Sequence, residues 1–320
     1  MPLRIGGKTA AAQSENARLA GVHFASGTVK RKAGRLTEAF ADFSRAAELA
    51  PKDPNCLRQA AEVAYLVGQP RLALEYCGSL RSIAPELDVI DLLEAQIRFS
   101  GEHYLQVMAR ILEALKPRTY VEIGVEHGTS LRLVQAPTLA IGIDPEPKLA
   151  GPLAANQKVF VETSDAFFAT RDPRAELGGL PIDLAFIDGM HQFEFALRDF
   201  YNLERFCTRD STVLIDDCYP LNRETAERDR RREFWSGDIW RLILLLKKYR
   251  PDLAIHIVAT APTGLAVVRR LDPESRFLRE NHDRLCREFL ALDYAVLEGD
   301  MAGKLNLFPN DWAKIRALLG

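Results

Sequence analysis

The chain has 320 residues, with 42 Lys and Arg against 44 Asp and Glu, a formal net charge of −2. Its 47% hydrophobic and 27% charged residues are the composition of a soluble globular protein and exclude a disordered chain, a collagenous repeat and a disulfide mini-scaffold. The charge balance argues against a nucleic-acid coat, and the longest aliphatic run, Leu242–Leu246, is far below the roughly 18 residues that span a membrane.

Residues 1–30 are rich in Ala, Gly, Ser and Lys, have no apolar core suited to a signal peptide, and are predicted to be partly mobile. From residue 31 to 117 the pattern is helical and repeats. Gly34-Arg-Leu-Thr-Glu-Ala39-Phe40 is echoed by Gly68-Gln-Pro-Arg-Leu-Ala73-Leu74, Phe43 by Cys77 and Pro51 by Pro85. Each pair lies 34 residues apart, the period of a tetratricopeptide repeat. The Ala-Pro steps at 50–51 and 84–85 are predicted to end helices, and Gly101–Pro117 to supply a capping helix. Such a module either binds a protein partner or mediates self-association.

From 118 to 272 short apolar runs alternate with helical ones. The runs are Tyr120–Ile123, Leu139–Ile143, Val159–Val161, Leu184–Ile187, Val213–Ile215, Ala254–Val258 and Leu265–Val268. The first five predict a parallel α/β sheet. The last two, joined by Thr260–Gly264, predict an antiparallel hairpin at its end. Residues 273–320 read as a helical extension, with Phe277, Leu285, Phe289 and Leu292 at helical spacing. The five cysteines are scattered without a C-x-x-C pair, which fits reduced thiols and a cytoplasmic location.

Chemistry-bearing residues gather at the carboxyl ends of the strands, where open α/β sheets bind ligands. After the first strand, Glu122-Ile-Gly124-Val-Glu-His-Gly128-Thr-Ser130 makes a turn, predicted to open a helix, whose glycines let the backbone approach a ligand. Glu122 can accept bonds from an ammonium group. Asp144, ending the second strand, can hold the two hydroxyls of a ribose, so the two features together point to an adenosine-type ligand. Asp188 ends the fourth strand, and Asp216 and Asp217 end the fifth. Three converging carboxylates repel unless a positive charge joins them, and all-oxygen ligands suit Mg²⁺ or another hard divalent cation. His191, three residues beyond Asp188, titrates near neutrality and can take a proton from a hydroxyl.

On these residues, the segment from about 118 to 270 resembles the class I S-adenosylmethionine-dependent methyltransferases. More narrowly it is similar to the metal-dependent O-methyltransferases of the catechol and macrolide-sugar type. The resemblance implies a Rossmann-like sheet, mostly parallel with an antiparallel last strand. It implies that Glu122, Gly124, Gly128 and Ser130 surround the methionine part of the cofactor. Asp144 matches the ribose ligand, and Ser164 and Asp165 fall where the family contacts adenine. Asp188, Asp216 and Asp217 match the metal positions, and His191 stands where catechol-type enzymes carry a catalytic Lys. The implied acceptor is a hydroxyl of a small molecule or sugar. The segment Phe234–Trp240 suits a lid, with Trp235 or Trp240 against the acceptor. The competing reading is a repeat-based interaction protein with a catalytically silent cofactor fold. Nucleic-acid methylation is disfavoured, because no Asn-Pro-Pro-Tyr-type motif is present.

Overall fold

The structure, a computed structural model, describes residues 7–320, with side chains described from residue 12. The chain divides into two units between Arg98 and Phe99.

The first unit is all helical: α1 (Gly7–Lys32), α2 (Leu36–Leu49), α3 (Pro54–Leu66), α4 (Pro70–Ile83) and α5 (Asp88–Arg98). Where composition suggested a partly mobile start, Gly7–Lys32 is one continuous helix; residues 1–6 lie outside the described residues. The segment is rich in strong helix formers and has no internal Pro. It is held against α2, where Phe24 meets Phe43 edge-on at 5.6 Å and Gly27 leaves room for the same ring. The 34-residue period is carried by the helices themselves, since α2 and α4 start at Leu36 and Pro70, and α3 and α5 at Pro54 and Asp88. The matched pairs Ala39 and Ala73, and Phe43 and Cys77, are all buried, so the repeat is a packing repeat. Pro54 and Pro70 open their helices, where the missing N–H costs nothing, and Asp53 caps α3 by accepting from Asn55 and Cys56.

The second unit begins with α6 (Tyr104–Leu115), and this moves the boundary from Pro117 to residue 98. The segment predicted to cap the repeats does not do so. Its buried stripe, Val107, Met108 and Ile111, belongs to a cluster with Tyr120, Leu184 and Phe186 of the sheet. The strands are β1 (Thr119–Ile123), β2 (Leu139–Ile143), β3 (Gln157–Phe160), β4 (Ile182–Ile187), β5 (Cys207–Ile215), β6 (Ala254–Val258), β7 (Leu265–Arg269) and β8 (Leu307–Phe308). Helices α7 (Ser164–Thr170), α8 (Pro173–Glu176), α9 (Phe193–Glu204) and α10 (Trp240–Tyr249) link them. The tail adds α11 (Phe277–Glu280), α12 (His282–Leu290), α13 (Met301–Lys304) and α14 (Trp312–Leu319).

The sheet order is β3-β2-β1-β4-β5-β7-β6-β8. Strands β1 to β5 pair in parallel, and β7 runs antiparallel to both β5 and β6, as the short 260–264 connection predicts. Side chains alternate between two cores. Val121 and Ile123 enter the core shared with α9, α10 and α12, whereas Tyr120 enters the core shared with α6 and α14. The tail is therefore part of this unit rather than an appendage, with Leu285 and Phe289 in one core and Ile315 and Leu319 in the other.

One prediction fails between β1 and β2. The glycine-rich turn does not open an α-helix; a single 3-10 turn, Leu131–Leu133, lies there. The stretch between β1 and β2 is short and ends in Ala136-Pro137, which leaves no room for several helical turns. Among the described residues, no helix is long and apolar enough to cross a membrane.

Candidate functional site

A cavity of about 630 Å³ opens at the carboxyl ends of the strands. Gly124, Ser130, Asp144, Ser164, Asp165, Asp188, His191, Asp216 and Asp217 all line it. Glu122 and Gly128 do not.

Its first end is built by β1, β2 and β3. Gly124 leaves β1 at φ +85°, and a Cβ there would lie 1.9 Å from the carbonyl oxygen of Asp188, so only glycine fits. Asp144 Oδ2 accepts from the Val125 and Glu126 backbone N–H groups at 2.8 and 2.9 Å, and its Oδ1 from Glu146 N–H at 2.7 Å. The carboxylate thus ties the β1 turn to β2 and keeps one lone pair of Oδ1 open. The exposed Glu146, also on the cavity wall, is a second acidic group that the sequence reading passed over.

Glu122 is fully buried beneath this turn, on the α6 face with Tyr120. It accepts from Tyr120 O–H at 2.6 Å and from Ser130 Oγ at 2.8 Å. Burial pushes its carboxyl up to about 8. The expectation that Glu122 meets a ligand ammonium directly is therefore replaced: it fixes Ser130, which does reach the cavity. Strand alternation explains this, because Glu122 points to the same core as Tyr120. Beyond β3, Thr163 caps α7 by accepting from Ala166 N–H, and this sets Ser164 and Asp165 on the wall. Asp165 accepts from Arg198 Nε at 3.0 Å.

The other end is acidic. Asp188 N–H donates to Ile123 O at 2.8 Å, and Asp216 N–H to Ile187 O at 3.0 Å, so the ladder itself delivers both carboxylates to one edge. His191 lies between them. Its Nε2 is 3.4 Å from Asp188 Oδ1 and its Nδ1 3.0 Å from Asp217 Oδ2. Both His191 and Asp217 sit in the left-handed region, at φ 48° and 58°, a backbone cost tolerated mainly at functional sites. Burial opposes protonation of the imidazole, but the Asp217 and Asp188 carboxylates win and raise its pKa well above the usual value. Burial also raises Asp188 and Asp216, the latter reinforced by the neighbouring carboxylates.

Asp188, His191 and Asp217 each offer a ligand atom, and these atoms lie within 4.8 Å of one another, which fits a single divalent cation. The expected third ligand, Asp216, also lines the cavity, but its Oδ1 accepts from Asp217 N–H at 2.9 Å.

The segment before α10 closes over this end. Trp235 stacks on the His191 ring at 5.3 Å and 19°, and His191 Nδ1 is 3.3 Å from the Trp235 carbonyl. With two oxygen acceptors around it, Nδ1 carries a proton, which leaves Nε2 as the nitrogen able to accept one. Asp238 accepts from Phe193 N–H at 2.6 Å and donates its own N–H to His191 O at 3.2 Å. Of the two lid tryptophans, Trp235 faces the cavity, whereas Trp240 is 1% exposed at the start of α10. Tyr104, Met190 and Phe195 complete the wall; none carried a sequence signal beyond ordinary helical or loop pattern.

Residues 121–218 match a family model described as a methyltransferase domain. That span runs from β1 to just past the paired aspartates at the end of β5. The chain carries a methyltransferase domain. Solved structures similar to the chain include the O-methyltransferase TomG from Streptomyces achromogenes in complex with SAM. It is 16% identical, with a TM-score of 0.40, and the match covers 53% of this chain and 80% of that one. An O-methyltransferase from Bacillus cereus in complex with SAH is 12% identical, with a TM-score of 0.39, 61% of this chain and 89% of that one being covered. No curated protein matches the chain. The methyltransferase domain holds both ends of the cavity, the β1–β2 turns and the acidic cluster.

Proposed function

We propose that the protein is an S-adenosylmethionine-dependent O-methyltransferase that needs a divalent cation, Mg²⁺ first, and acts on a hydroxyl of a small molecule or sugar. The observation that carries this reading is the meeting of Asp188, His191 and Asp217 at one end of a cavity whose other end is the turn held by Asp144. When bound, the cofactor supplies an electrophilic methyl group, and the cation lowers the pKa of the acceptor hydroxyl and orients it. Gly124, Ser130 and the open lone pair of Asp144 hold the cofactor, with Ser164 and Asp165 toward its adenine. The carboxylates of Asp188, Asp216 and Asp217 hold the cation. His191 Nε2 takes the hydroxyl proton, and Trp235 keeps the imidazole plane fixed and water out. The identity of both ligands in two of the similar structures' descriptions, SAM and SAH, supports the cofactor assignment.

The helical unit is read as a tetratricopeptide-type scaffold on its 34-residue offset, used for self-association or a protein partner. A silent cofactor fold is disfavoured by the built acidic cluster.

Calorimetric titrations of S-adenosylhomocysteine and of Mn²⁺ into the protein test the reading. Micromolar binding of both is expected. Asp188→Asn is expected to lose Mn²⁺ and keep S-adenosylhomocysteine. Unchanged Mn²⁺ affinity in that variant sinks the metal assignment, and no S-adenosylhomocysteine binding at millimolar concentration sinks methyl transfer.

A further inference from the structure

Two hydroxyl groups of the cavity have no part in that reading. Tyr104 is the first residue of α6, fixed by the His103–Gln106 capping box. It is half-buried and lines the cavity, and its phenol has no hydrogen-bond partner among the described residues. Burial, reinforced by the carboxylates of Asp216, Asp188 and Asp217, raises its pKa and keeps it a proton donor. Thr263 lies in the β6–β7 loop. It is 3% exposed, lines the same cavity, and its Oγ1 is buried without a partner. The two belong together: Tyr104 N–H donates to Ala261 O at 3.5 Å, and Pro262 lines the cavity between them.

Topology says which ligand they meet. The cofactor end is made by β1, β2 and β3, on one side of β4. Thr263 belongs to the loop joining β6 and β7, on the far side of β5. The acidic cluster stands between. Tyr104 comes from the helix on one face of the sheet, whereas Trp240, just beyond the lid, is in the core of the opposite face. The acceptor therefore lies between two walls, one of which presents hydroxyl donors.

We propose that Tyr104, backed by Thr263, donates a hydrogen bond to a second oxygen of the acceptor, next to the one that is methylated. The inference rests on the proposed methyl transfer and makes Tyr104 a residue that selects acceptors carrying two neighbouring oxygens. An unpaired buried donor rejects an analogue that lacks its acceptor.

The test uses the full chain saturated with S-adenosylhomocysteine and Mn²⁺, titrated with 4-nitrocatechol, a coloured diol that chelates divalent cations. Tyr104→Phe removes only the O–H. The expected result is about tenfold weaker 4-nitrocatechol binding, the size of one hydrogen bond, with Mn²⁺ and S-adenosylhomocysteine affinities within about twofold of the parent. Thr263→Val is expected to act in the same direction with a smaller effect. Equal 4-nitrocatechol affinity in Tyr104→Phe overturns the proposal. So does an equal loss for S-adenosylhomocysteine, which would move the phenol to the cofactor end. A parent protein that binds Mn²⁺ and S-adenosylhomocysteine but not 4-nitrocatechol overturns it alone. A parent that binds neither takes the methyl-transfer reading down with it.

Discussion

A buried carboxyl under a ligand-binding turn has a measurable signature. Glu122 ionises near 4.5 in an unfolded chain and near 8 in the folded one. Between those values the folded protein holds a proton that the unfolded chain has released, so stability falls as pH rises through the window. The slope from this one group is about 1.4 kcal/mol per pH unit. Glu122→Gln keeps an acceptor for Tyr120 or Ser130 and cannot ionise. Thermal melts from pH 5 to 8 should therefore show the variant gaining on the parent at each step; parallel curves would mean that Glu122 is ionised in the fold. The acids at strand ends, Asp188, Asp216 and Asp217, were legible in the sequence because each follows an apolar run that reads as a strand. The partner of Glu122 was not, because the face on which it lies is set by sheet packing.

Elements decide how the acidic end is covered. The lid is fastened to His191 by backbone groups, and Gly237 makes the fastening possible: at φ +63° it lies so close that a Cβ would stand 1.9 Å from His191 O. Gly237→Ala is thus expected to displace the imidazole, destabilise the fold by more than about 1 kcal/mol, and weaken Mn²⁺ at least tenfold while sparing S-adenosylhomocysteine. Calorimetry on the variant checks this, and intact Mn²⁺ binding would free His191 from the lid. The hairpin of β6 and β7 was legible from its short proline-containing connection. The missing helix between β1 and β2 was not, since a glycine-rich turn after a strand usually leads into one. Tyr104 was invisible for a related reason: α6 has an ordinary amphipathic pattern, and only tertiary packing sets it against the sheet rather than the repeats.

At the scale of the molecule, the division at residue 98 has a direct consequence for truncation. Residues 99–320 expressed alone should fold and bind S-adenosylhomocysteine like the full chain. Residues 118–320 lack α6 and uncover the Tyr120, Leu184 and Phe186 side of the sheet, so they should be insoluble or molten. Circular dichroism and the same titration distinguish the two, and a well-folded 118–320 fragment would contradict the packing described for α6.

Helices α6 and α14 cover one face of the sheet together, with Arg110 over the Trp312 ring at 5.4 Å and Asn310 donating to Glu102 O at 2.8 Å. They are separated by almost 200 residues of chain. A ribosome adding about 5–20 residues per second needs roughly 10–40 s to make that stretch. Through that interval the apolar stripe of α6 waits without its last partner. Nascent chains of this protein thus carry a sticky helix until translation is almost over, and their yield should depend on the chaperones present during synthesis.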